Sequence, residues 1–288
     1  MYQRMHAGLG QPTQPVKSSY RAPFATGGEW VGESDVEKLL TVLAGPSPFR
    51  TYIQPILVVR GSALPAKLLR IVNTPSGAPK HLQNRFTRDN DGKIVGGTID
   101  RATGRIFMLR APGSRAYSRV QFVLHEFVHL FAHPFMDIVD DADFEVKHGR
   151  PCRRGQTDVG TFQRKYCVGF GEGATQVITE MILQGQKISL YRDRPFRKFV
   201  GPVRKLIEIF SLDAFARAFF WGEVSAFTRA MQARWGSAWQ NVRNYTASGN
   251  STLALQEIER LELEHWRKTR TPSPPGDYPI PSGTTRHA

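Results

Sequence analysis

The sequence predicts an α+β fold in which a small, mostly antiparallel sheet packs against a helical half. Three observations carry this. Short β-type runs are confined to the part of the chain before Arg110, a turn-poor apolar run spans Tyr117 to Ala132, and helical runs follow one another after Gly171. Strands early and helices late favour segregated layers over an alternating βα order.

Taken in order, Asp35 to Leu43 reads as a short helix, and Tyr52 to Val59 as an apolar, β-branched strand interrupted by Pro55. Lys93 to Asp100 and Arg105 to Leu109 form a hairpin through Arg101-Ala102-Thr103-Gly104, where Gly104 supplies the positive φ of a compact reversal. Tyr117 to Ala132 is a helix stopped by Pro134. Its Leu124, Phe127, Val128, Leu130 and Phe131 surround most of the axis, which marks a buried helix. A second helix begins near Gly171 or Glu172 and runs to Leu183, ending before Gly185. Further helices are expected at Gly201 to Phe210, Leu212 to Trp221, Val224 to Arg234 and Thr252 to Arg267. Residues 1–34 read as a flexible leader, 35–268 as a single domain and 269–288 as a Pro-rich disordered tail. Within the domain, 35–133 carry the sheet and buried helix and 134–268 the helical half.

A chain of 288 residues, 40% hydrophobic, can bury one sizeable core. No run approaches the length of a transmembrane span, and the N-terminus lacks the pattern of a cleaved signal peptide. The expectation is a soluble protein, either cytoplasmic or exported by a signal-independent delivery system. The net charge of +14 favours an acidic partner at a basic surface. Arg192, Arg194, Arg197, Lys198, Arg204 and Lys205, interleaved with Tyr191, Phe196 and Phe199, concentrate that charge. No nucleic-acid motif frames them, so a solvated face is the favoured reading and no specific nucleic acid is expected. Cys152 and Cys167 are too few for a disulfide framework or a four-thiolate zinc site, and whether they pair stays open.

The chemistry concentrates in His125-Glu126-Phe127-Val128-His129, an HExxH run. Residues four apart share a helix face, so both imidazoles reach one ion. Glu126, about 100° round the axis, sits beside that ion as a general base rather than a ligand. A catalytic zinc site takes three protein ligands and leaves one position open. His133 lies four residues beyond His129, but Pro134 ends the helix there, and Ala132-His133-Pro134 does not reproduce the metzincin continuation. Glu172, in Gly169-Phe170-Gly171-Glu172-Gly173-Ala174-Thr175-Gln176, is the better third ligand, its flanking glycines permitting close approach to another element. The bland alternative is that Glu172 merely favours the positive end of its helix.

An HExxH helix followed some way on by a helix opening Glu-Gly-x-Thr resembles the gluzincin family of zinc metallopeptidases, over about Lys93 to Leu183. The resemblance implies a zincin-like fold, Zn2+ held by His125, His129 and Glu172, Glu126 as general base, and a protein or peptide substrate. It also implies that Arg105 to Arg110 is an edge strand holding extended substrate by strand addition. Many gluzincins place a carboxylate four residues after the ligand glutamate to orient a metal-binding histidine. This chain has Gln176 there, which accepts a hydrogen bond more weakly. The donor for a developing oxyanion is not singled out; Tyr191, Tyr166 and His148 are chemically able. Leu212 to Glu223 is similar to helical extensions in metallopeptidase domains of delivered bacterial toxins, which bears on localisation alone. Two alternatives stand beside a peptidase: an inactive zinc-binding interaction protein with a basic surface, and a metal-dependent amidase acting on cell-wall peptides.

Overall fold

The computed structural model describes residues 30–61, 63–86, 96–100, 102–109, 116–132, 168–188, 190, 197–247 and 250–270. It is a helix-rich α+β fold with one three-stranded sheet among these residues. Helix α1 spans Glu33–Leu43 and buries Val36, Leu39, Leu40 and Leu43, a stripe of helical period, while Glu33 and Asp35 sit in its first turn where the helix dipole favours acid. Val31 N–H donates to Leu69 O at 2.8 Å, so the fold takes in residues 30–34, which the sequence had assigned to the leader.

The expected strand at Tyr52 to Val59 is instead helix α2, Arg50–Gly61. Its burial has helical, not alternating, period: Tyr52, Ile53 and Leu57 are buried, whereas the neighbouring Val58 and Val59 are both exposed. Packing of that face overrides β-branched propensity and tolerates Pro55 inside the helix.

Strands β1 (Leu69–Val72), β2 (Gly97–Asp100) and β3 (Arg105–Leu109) lie in the order β1-β3-β2. β2 and β3 form the expected hairpin, with Gly104 at φ 68°. Asp100 closes the turn, accepting from Ala102 N–H and Thr103 Oγ1 and, through its carbonyl, from Gly104 N–H. The sheet is mixed rather than mostly antiparallel, because β1 pairs with β3 in parallel. The residues before Gly96 that were expected to extend the hairpin, Lys93 to Val95, lie outside the described residues.

The register puts Leu69, Ile71, Ile106 and Met108 on the face that joins the main core. Phe107 and Val72 face the other way, under two 3₁₀ turns, Pro75–Gly77 and Lys80–Arg85, with Ala78, Leu82 and Phe86.

Helix α3 is Ala116–Phe131 and α4 is Val168–Gly185. Then come α5 (Arg197–Phe210), α6 (Leu212–Trp221), α7 (Val224–Trp235), α8 (Trp239–Ala247) and α9 (Ser251–Arg270). Helix α8 was not anticipated. Its run is polar, and among the residues whose burial is described only Trp239, Val242 and Thr246 are buried, too narrow a stripe for periodicity to announce. Helix α9 continues past Trp266 into Thr269 and Arg270, which had been assigned to the tail; Thr269 Oγ1 donates to His265 O at 3.0 Å.

Helix α4 is the hub, packing on α3, α5, α8 and α1. The helical half is clamped at Glu262, which accepts from Arg234 at 2.6 and 2.7 Å and from Trp235 Nε1 at 2.8 Å. The Arg234 guanidinium holds that carboxyl below its ordinary value. No helix among the described residues is long and apolar enough to cross a membrane.

Candidate metal centre

Helix α3 carries its polar groups on a buried rod. From Val120 to Phe131 only Phe122, His129 and Leu130 are half-exposed; His125 and Glu126 are buried against the core. Helix α4 is buried through Gly173 to Glu180, and its exposed edge near the N-terminus holds Gly171 and Glu172. The helix begins one turn earlier than the sequence suggested, which places Glu172 past the first turn. Attraction to the helix dipole, which fades within that turn, therefore does not account for it.

What accounts for it is the opposite helix. His125 Nε2 lies 2.9 Å from Glu172 Oε2, His129 Nε2 lies 3.1 Å from the same oxygen, and the two Nε2 atoms are 3.1 Å apart. Three polar atoms thus form a nearly equilateral triangle, which shared protons or a cation at its centre would hold together. The two histidines act on the protonation of Glu172 as well. Burial pushes its carboxyl up, but the charge of His129 and hydrogen bonds from both histidines outweigh that and hold it far below the ordinary range.

In a tetrahedral shell with bonds of about 2.0–2.1 Å, ligand atoms stand roughly 3.3–3.4 Å apart, so the triangle is within a few tenths of an ångström of what a small ion requires. His125, His129 and Glu172 can hold a metal ion. The side chains of His129 and Glu172 are 16% and 23% exposed while that of His125 is 5% exposed, so the cluster opens to solvent on one side.

Glu126 lies against the sheet. A Cβ built on Gly97 would meet Met108 Sδ, stand 2.9 Å from Phe107 O and 3.2 Å from Glu126 Cγ. Only glycine lets β2 run this close to the stem of the Glu126 side chain. The sequence held the signal, a glycine inside a strand run, but gave no means of naming the neighbour.

Several expectations are corrected here. Gly171 is not a point of close approach, since a Cβ there would meet nothing within 4 Å. Arg105 to Arg110 is not an edge strand: β3 is central, and β2 has no partner but β3 among the described residues. Gln176 is buried, and its amide donates to Glu180 Oε1 at 3.0 Å rather than meeting a histidine. The group beside His129 is Thr175, the threonine of the Glu-Gly-x-Thr run, to which the sequence assigned no role, with Oγ1 3.3 Å from Nδ1. Tyr191, Tyr166, His148, His133, Cys152 and Cys167 lie outside the described residues. Of the basic cluster, Arg204 is paired with the fully buried Glu180 at 3.0 Å and Lys205 with Glu208 at 3.0 Å.

Comparison with models of protein families, with curated proteins and with solved structures finds no match to this chain.

Proposed function

We propose that the chain is a zinc-dependent metallopeptidase of the gluzincin type. The observation that supports it most is the convergence of His125, His129 and Glu172 from two buried helices, with Glu126 one residue round the helix from the first ligand. Two imidazoles and one carboxylate, open on one side, suit zinc with a position left for chemistry. When bound, zinc supplies Lewis acidity, polarising a carbonyl and bringing the pKa of water down to about 7.

The rest falls to the chain. Glu126 takes one proton from the water as its oxygen bonds to the scissile carbonyl carbon and hands that proton to the nitrogen as the C–N bond breaks, leaving a carboxylic acid and an amine. The edge of β2 that has no strand partner among the described residues, beside Glu126, is the surface on which an extended peptide would add as a strand, in place of β3.

The test is Glu126→Gln. This variant keeps the three ligands, so zinc stays near one per chain while hydrolysis of an unstructured protein falls by about 10²–10⁴-fold, the usual contribution of a general base. Undiminished hydrolysis refutes the assignment. A wild type that cleaves cell-wall fragments and no protein makes the enzyme an amidase. One that binds zinc tightly and cleaves neither is the interaction protein.

A further inference from the structure

Two threonines one turn apart on α4 dispose of their hydroxyls differently. Both are fully buried, and buried hydroxyls need partners. Thr179 takes the ordinary helical route, donating at 2.7 Å to the carbonyl of Thr175, four residues back. The Thr175 hydroxyl instead crosses to α3, 3.3 Å from His129 Nδ1.

Which imidazole nitrogen carries the proton is set by the bond the other makes. His129 turns Nε2 toward His125 and Glu172, both at 3.1 Å, so Nε2 accepts a cation only when it bears no proton. In that tautomer the proton sits on Nδ1, and Thr175 Oγ1 is the acceptor placed to receive it. Without the hydroxyl, an N–H would be buried against a methyl group, which disfavours the metal-competent form.

We propose that Thr175 is a positioning residue for the metal centre, holding His129 in the Nδ1–H tautomer and fixing the ring so that Nε2 faces the ion. The inference rests on the metal-binding reading of the site and adds to it the group that does the orienting. It also reassigns that task. The residue four positions after Glu172, Gln176, spends its amide on Glu180, and the residue three positions after it serves instead. A hydroxyl suits a site that must load and release its ion, because it accepts from Nδ1–H in one tautomer and donates to bare Nδ1 in the other.

The experiment is competition for zinc between the full chain and a chromophoric chelator, for wild type, Thr175→Val and Thr175→Ser. Valine keeps the shape and removes the hydroxyl; serine keeps the hydroxyl and removes the methyl. The expected result is zinc binding weakened about 10- to 100-fold in Thr175→Val and restored to near wild type in Thr175→Ser, the range typical of partners that orient metal-binding histidines. Circular dichroism of the zinc-free proteins checks that the valine variant has kept its fold. Equal affinity in wild type and Thr175→Val overturns the proposal while leaving the metal site standing. Serine as weak as valine also overturns it, since the methyl would then be what matters. A wild type that takes up no zinc overturns the metal reading itself, and this proposal with it.

Discussion

Glu172 and His133 divide the question of the third ligand at the scale of single residues. Glu172 shares one oxygen between two imidazoles at 2.9 and 3.1 Å, and its carboxyl is held ionised by them. A neutral replacement leaves two histidines facing each other with nothing to complete the shell, and two protein ligands hold zinc far less firmly than three. Glu172→Ala is therefore expected to weaken zinc binding by more than the roughly 100-fold that loss of an orienting partner costs. His133→Ala should leave zinc content unchanged. Elemental analysis of both variants after dialysis decides it, and the reverse ranking would move the third ligand to His133. The neighbouring Glu126 differs from Glu172 in just the respect its role needs. It stands one residue from His125, hence off the face that carries the two histidines, and is buried against β2, a placement that supports the proposed role as base rather than ligand.

At the scale of elements, the site depends on how closely β2 approaches α3, and Gly97 sets that distance. Adding one carbon puts Cβ against Met108 Sδ, the Phe107 carbonyl oxygen and Glu126 Cγ, and a carbonyl in a paired strand gives way less readily than the end of a methionine. Gly97→Ala is expected to cost about 1–3 kcal/mol of stability, as overpacking does, and to lower hydrolysis further by displacing Glu126. Zinc content should hold. Urea denaturation beside zinc analysis checks this, and a variant as stable and as active as wild type would mean β2 yields freely. The sequence reveals elements unevenly for reasons visible here. Helix α3 was legible because its apolar residues surround the axis, and the hairpin because Gly104 supplies the positive φ of its turn. Helix α2 was not, since Val58 and Val59 suggest a strand until their exposure is known. That His125 and His129 share a face was legible from their spacing, and Glu172, named from the sequence, is the carboxylate that meets them. The contact of Thr175 was not, because its place in the Glu-Gly-x-Thr run does not tell which neighbour the hydroxyl meets across an interface.

For the whole molecule, an ion held by His125, His129 and Glu172 would have a second consequence, because these side chains come from two helices and not one. His125 and Glu172 stand 47 residues apart in the chain, and α4 is the element on which α3, α5, α8 and α1 all pack. Without an ion, the polar groups of the triangle must share protons at the centre of this packing. With one, α3 and α4 are tied across the interface that joins the sheet-bearing half to the helical half. A preformed triangle binds in the folded state and has no counterpart in the unfolded chain, so the binding free energy adds to stability. At free zinc 100 times the dissociation constant that addition is about 2.7 kcal/mol. For a domain of this size it corresponds to a rise in Tm of roughly 5–10 °C, reversed by a chelator. The clamp of Arg234 and Trp235 on Glu262 lies away from the triangle within the helical half, so Glu262→Ala should lower Tm with and without zinc by the same amount. Differential scanning calorimetry of both proteins, zinc-loaded and chelator-treated, reads the two effects separately. A Tm indifferent to zinc in wild type would mean that the triangle closes on protons alone, and that the packing of α3 on α4 owes nothing to a metal.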